Sequence, residues 1–183
     1  MNALDAGWAM LKMPLVPGSL RQNTEDNWEA KFRDPETDEI MPVDVNVARH
    51  NPFDYISAII GPRRDKHTDI RASAQAKGHF IDEADPDEPG MFVMDSAKTE
   101  EDYRRRGYMA ALHDTVAAVA DRGGNGGSVL MPSDTFTPAG IRFWESLLGE
   151  GAADIHHTID LDDGKRVHVA TFRDAIWPVR DDL

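Results

Sequence analysis

The residues of this chain that could carry chemistry are concentrated in one stretch. Met94 to Leu112 reads Met-Asp-Ser-Ala-Lys-Thr-Glu-Glu-Asp-Tyr-Arg-Arg-Arg-Gly-Tyr-Met-Ala-Ala-Leu, an apolar strand end, a turn with three arginines and one glycine, then a helix. Successive backbone N–H groups at a helix start, aided by the helix dipole, make an anion site suited to a pyrophosphate. Gly107 lets a phosphate approach the main chain, and Arg104, Arg105 and Arg106 supply charge-assisted hydrogen bonds. The expected cradle is the run of amides from Arg105 through Gly107, Tyr108 and Met109 to Ala110. The other glycine cluster, Gly123 to Gly127, precedes a strand instead of opening a helix, so it reads as a C-cap and linker. His156 and His157 are neighbours in a strand, point to opposite faces and cannot chelate one metal together; no metal is expected. There is no cysteine, which excludes disulfides, thiolate nucleophiles and thiolate-bound zinc.

The elements that must position this stretch follow from hydrophobic periodicity. Trp28 to Phe32 and Ile40 to Val47 both alternate apolar with polar residues around the turn Asp34 to Glu39, which predicts an antiparallel hairpin. Tyr55 to Ile60, closed by Gly61-Pro62, and Thr68 to Ala76, ending before Gly78, read as two more strands. Met91 to Thr99 reads as a strand near the centre of a mixed sheet. Met109, Leu112, Val116 and Val119 form the apolar stripe of an amphipathic helix over Gly107 to Asp121. Ser128 to Met131 is a short strand, and Thr137-Pro138 supplies an N-cap and a first-turn proline for a helix ending at Leu148, closed by Gly149. Ala153 to Leu161 and Arg166 to Phe172, joined by Asp162-Asp163-Gly164-Lys165, are strands expected to close the same sheet. Trp8, Trp28, Trp144, Trp177 and the methionines read as packing.

Length and charge bound the function. At 183 residues one domain with a sizeable core is expected, and 40% hydrophobic against 29% charged residues is a folding composition. The net charge of −13 repels phosphate backbones and attracts cations, which disfavours general nucleic-acid binding. No apolar run approaches the ~20 residues of a membrane helix, and Met1 to Leu20 lacks the basic leader of a secretory signal. A cytoplasmic protein without membrane contact is the expectation. Ile81 to Gly90 holds five carboxylates and two prolines and reads as a solvated loop, with an acidic lid that gathers a cationic substrate as the alternative.

Arg104 and Gly107 resemble the acyl-CoA-binding motif of the GNAT family of N-acetyltransferases, Gln or Arg, two residues, Gly, one residue, Gly or Ala. Met109 stands at its last position, a departure that Ala110 and Ala111 soften. Thr137 to Gly149, with Ala139, Ile141, Phe143-Trp144 and Leu148-Gly149, is similar to the family's second helix motif. The resemblance covers about Met91 to Phe172. It implies an α+β fold, one domain over 1–183 in which a GNAT-like mixed central sheet is flanked by helices. Residues 91–172 would be the acyl-CoA half, and the strand-rich 1–90 a remodelled acceptor side. It implies acetyl-CoA as acyl donor and a cationic amine acceptor. Asp95 lies on the strand that carries catalytic carboxylates in relatives and is the expected base; His113 is expected to be exposed sooner than catalytic. The family's tyrosine position is Trp144, leaving Tyr55, Tyr103 and Tyr108, of which Tyr108 is the candidate acid. The alternatives are a non-catalytic GNAT-fold component such as a phage virion protein, with a protein partner or a second copy of the chain, and, more remotely, an acidic nucleic-acid mimic.

Overall fold

The structure, a computed structural model, describes residues 13–48, 55–62, 73–81, 91–122 and 129–173. Among these the chain divides into two compact units, 13–131 and 132–173, and the architecture is α+β. The segments containing Trp8, Gly123 to Gly127 and Trp177, and the loop after Ile81 as far as Gly90, lie outside the described residues.

In the first unit strict alternation builds the sheet. β1 (Arg21–Thr24), β2 (Asn27–Arg33) and β3 (Ile40–Ala48) form an antiparallel meander in which Trp28 faces Val45, Ala30 faces Val43 and Phe32 faces Met41. All six of those side chains are buried, so a one-residue slip in register would turn every one of them to solvent. β4 (Tyr55–Ile60), β5 (Ala74–Ile81) and β6 (Met91–Thr99) continue the antiparallel order, and β7 (Val129–Pro132) completes a sheet ordered β1 to β7. Helix α1 (Tyr108–Arg122) packs on the face that presents Ile56, Ala58, Ile60, Ala76 and Phe80. Each large side chain buried there contributes about 1.5–3 kcal/mol. The outward face carries Glu29, Lys31, Asp44, Asn46, Ser57, Gln75, Lys77 and His79.

The hairpin of β2 and β3 and the Tyr55–Ile60 strand agree with the sequence pattern, and four expectations are corrected. Met91–Thr99 is not central: it is sixth of seven, because strands laid down in chain order accumulate at one edge. The strand expected at Thr68 to Ala76 begins at Ala74 and runs through Gly78 to Ile81, the residues before Ser73 lying outside the described set. Gly78 is a strand residue and not a terminator, because β6 approaches so closely that a Cβ would overlap the Val93 carbonyl oxygen and the Phe92 ring. Finally, α1 is buried around its whole circumference from Ala110 to Ala120, His113 included; five alanines in that span let neighbouring chain approach on every side.

The second unit has its own three-stranded sheet, ordered β8-β10-β9, so the last third of the chain does not close the first sheet. β8 (Thr135–Phe136) was not legible as a strand; β9 (Ala153–Asp160) and β10 (Arg166–Phe172) were. Helix α2 (Pro138–Leu148) starts as its sequence dictates, Thr137 Oγ1 accepting from Gly140 N at 3.2 Å with Pro138 in the first turn. Its buried Ile141 and Trp144 seal an aromatic cluster in which Trp144 and Phe136 lie 6.0 and 5.0 Å from Phe172. Trp144 therefore packs, as its residue type suggested.

Candidate functional site

The turn from β6 to α1 is built on two left-handed residues. A single 3-10 turn, Glu101–Tyr103, leads into Arg104; Arg105 has φ 64° and Gly107 φ 84°. Arg105 tolerates that conformation at a cost of about 1–2 kcal/mol, whereas Gly107 adopts it freely. Gly107 is buried, and a side chain there would be strained by the backbone conformation. The reversal sorts the arginines: Arg104 and Arg105 are exposed, and Arg106 turns inward.

What Arg106 meets is Asp34, a carboxylate with no exposed surface at the start of the β2–β3 turn. The guanidinium pairs with Asp34 Oδ2 and, 3.0 Å from its Nε, with Glu36. The Tyr108 hydroxyl donates to the same Asp34 oxygen at 2.5 Å, and the amides of Glu36 and Thr37 donate to Oδ1 at 2.8 and 3.3 Å. Arg106 also lies over the rings of Tyr103 and Tyr108, 5.4 and 5.6 Å from their centroids. Burial alone would raise the Asp34 carboxyl; the Tyr108 hydrogen bond, the two amides and the Arg106 charge outweigh it and hold the group below its ordinary value. For Tyr108, burial first and then the Asp34 hydrogen bond and charge push the phenol far above the usual tyrosine range. Tyr108, the candidate acid, thus keeps its proton and shares it in a hydrogen bond with a buried carboxylate, a contact that ties the start of α1 to the β2–β3 turn. Arg106 is held in the same latch, so its charge is neutralised and the exposed guanidiniums of the turn are Arg104 and Arg105.

An anion at the α1 start would meet those two arginines, Gly107, and a first helical turn that contains no acidic residue. Met109 is half-buried and Ala110 buried, so the departure from the motif adds no charge there. Glu101 and Asp102 lie beside the turn and weaken the field that such an anion would meet.

Asp95 stands elsewhere. It lies on the outward face of β6, its Oδ2 2.8 Å from His79 Nδ1 on β5, with both side chains part-exposed. Tyr55, opposite His79 on β4, places its ring 6.0 Å from the imidazole. The structure thus gathers Arg106 and Tyr108 on Asp34, and Asp95 on His79. Asp34 and His79 are the two residues that sequence reasoning missed. Asp34 read as an ordinary turn aspartate, although the following Pro35 and the amides it caps were visible signals. His113, a lesser candidate, is fully buried; its Nδ1 lies 2.9 Å from the Met109 carbonyl, and burial pushes its pKa down to about 4.

A shallow open groove of about 360 Å³ crosses the outward face of β1 to β4 and includes Asn27, Glu29, Asp44 and Ser57. Among the described residues, no cluster of His, Asp and Glu side chains could hold a metal ion, and no helix is long and apolar enough to cross a membrane. No protein-family model matches the chain, and no curated protein matches it.

Proposed function

We propose that the chain is a GNAT-type N-acetyltransferase of the cytoplasm that moves acetyl from acetyl-CoA to a cationic primary amine of a small molecule or protein. The observation that carries this reading is the unit of β6, a left-handed turn at Arg105 and Gly107, and α1, whose first turn is free of acids while Arg104 and Arg105 stay exposed. Arg104, Arg105 and the amides from Gly107 to Ala110 would hold the diphosphate of the donor, which brings the activated thioester. Arg106 and Tyr108 would hold the turn in shape. The net charge of −13 would raise the local concentration of amines, an attraction that salt weakens.

The commitment of Tyr108 to Asp34 favours a second reading, in which the fold has kept the anion site without an acid for the thiolate and serves as a non-catalytic component, for instance of a phage virion. Calorimetric titration with acetyl-CoA followed by turnover on an amine panel separates the two. Binding with turnover supports the enzyme, binding without turnover supports the non-catalytic protein, and absence of binding refutes both forms of the acyl-CoA reading.

A further inference from the structure

We propose that the open edge of β9 pairs with β9 of a second copy of this chain, antiparallel and centred on Ile159. The smaller sheet runs β8-β10-β9, so among the described residues β9 has a neighbouring strand on one side only. The other sheet edges are blunted: β1 is four polar residues with an irregular register, β7 ends in Pro132, and β8 is two residues long. β9 has eight residues, neither lysine nor proline, and exposed Ile155 and Ile159, with exposed Leu161 just beyond. Its bulge lies at His156, where the pairing with β10 shifts between His157↔Val169 and Ile155↔Ala170. From His157 onward the pairing is regular.

The main chain sets the register. Leu161 N donates to the Lys165 carbonyl at 2.8 Å, so the backbone groups of Leu161 face β10, and by alternation those of Thr158 and Asp160 face the open edge. A two-fold axis through Ile159 brings Thr158 opposite Asp160 of the second copy, where the two exchange main-chain hydrogen bonds. Ile159 then meets Ile159 of the second copy as a non-hydrogen-bonded pair, with Cα atoms about 4.5 Å apart, and His157 meets Leu161. Ile159 shares the face of Val167 and Val169, both half-buried, and lies opposite the face on which Phe172 packs against Trp144. Charge selects a second copy as the occupant. The hairpin from Ala153 to Arg173 holds four aspartates and three basic residues, near balance in a chain of net charge −13. Asp154 pairs with Arg173, Asp160 with Arg166 and Asp163 with Lys165. Centred on Ile159, the pairing sets Asp160 against Thr158; centred on His157, it would set Asp154 against Asp160 and run through the bulge.

Sedimentation equilibrium on the full chain is expected to show the mass rising from 20.4 kDa toward twice that value as concentration increases. Ile159→Lys, which sets two ammonium groups against each other at the axis, is expected to hold the mass at 20.4 kDa with an unchanged circular dichroism spectrum. The chain has no cysteine, so Ile159→Cys introduces a single thiol, and a pair separation of about 4.5 Å suits a disulfide. Mild oxidation is expected to cross-link that variant, and to cross-link Ile155→Cys several-fold more slowly although Ile155 is the more exposed, 50% against 42%. A wild type that stays at 20.4 kDa up to ~1 mM overturns the proposal, as does a dimer that survives Ile159→Lys. Cross-linking of Ile155→Cys as fast as Ile159→Cys overturns the register. If Ile159→Lys loses the fold, the two cysteine rates decide alone.

Discussion

Replacing Asp34 by alanine isolates what the buried latch contributes. Asp34 is wholly buried, Tyr108 is 1% exposed and the Arg106 side chain 14%, so water cannot stand in for the lost carboxylate. Breaking a buried pair by removing one partner costs about 3–5 kcal/mol, and Arg106 keeps Glu36 at 3.0 Å, which places the expected loss near ~3 kcal/mol. Asp34→Asn retains an acceptor for Tyr108 but no charge, and Tyr108→Phe removes one hydrogen bond to a charged group, for a loss of about 1.5–3 kcal/mol. Because the two residues share one bond, the double variant should lose less than the sum, with a coupling of about 0.5–3 kcal/mol. Urea unfolding followed by tryptophan fluorescence, at constant m-value, measures all four corners of the cycle. The pH sign follows from the lowered Asp34 carboxyl. Its stabilisation is fully present above the ordinary value of 3.8 and is lost as pH falls through the folded value, so the acid limb of the wild-type curve should flatten in Asp34→Asn. Losses below ~1 kcal/mol for Asp34→Ala, or strict additivity with Tyr108→Phe, would refute the latch.

Three further outcomes are expected. His113 is depressed to about 4 from 6.5, so the folded state holds it neutral; stability should fall as pH drops from about 6.5 toward 4, by at most ~3 kcal/mol, and His113→Gln should lose that slope in pH-dependent urea titrations. Gly78→Ala should destabilise by ~1–3 kcal/mol through overpacking against Phe92 and Val93, and an unchanged urea midpoint would contradict the close approach of β6. Arg104→Glu with Arg105→Glu should weaken acetyl-CoA binding ~10-fold or more at constant melting temperature, whereas Arg106→Ala should lower the melting temperature; calorimetry and thermal scans on both variants check the split.

The parts of this fold that were legible in the sequence are those fixed by neighbours within a few residues. Alternation set β2 and β3, the Asp163-Gly164 turn separated β9 from β10, and Thr137, Pro138 and Gly149 bounded α2, because a cap, a turn or a pleat is decided locally. Strand order was not legible: the apolar run at the start of Met91–Thr99 says that the strand is buried and nothing about how many strands lie beyond it. The burial of α1 around its circumference from Ala110 to Ala120 was hidden because alanine is compatible with either a solvent face or a close contact. The His79–Asp95 pair depends on a one-residue shift between two strands, and pairing shifts leave no periodic trace when the bulged segment is as short as Met94 to Ser96.

The arginine run shows most clearly where local reading stops. Three consecutive arginines before a helix carry equal weight as anion ligands when read from the chain alone. Two positive φ values, at Arg105 and Gly107, rotate successive side chains to different sides of the backbone, and what each then meets lies far away in sequence: Asp34 is 72 residues from Arg106 and 74 from Tyr108. A buried carboxylate demands a buried cation or several donors, and Asp34 takes both from the segment that flanks Gly107. The contacts that hold Arg106 and Tyr108 on Asp34 therefore also fix the backbone between them.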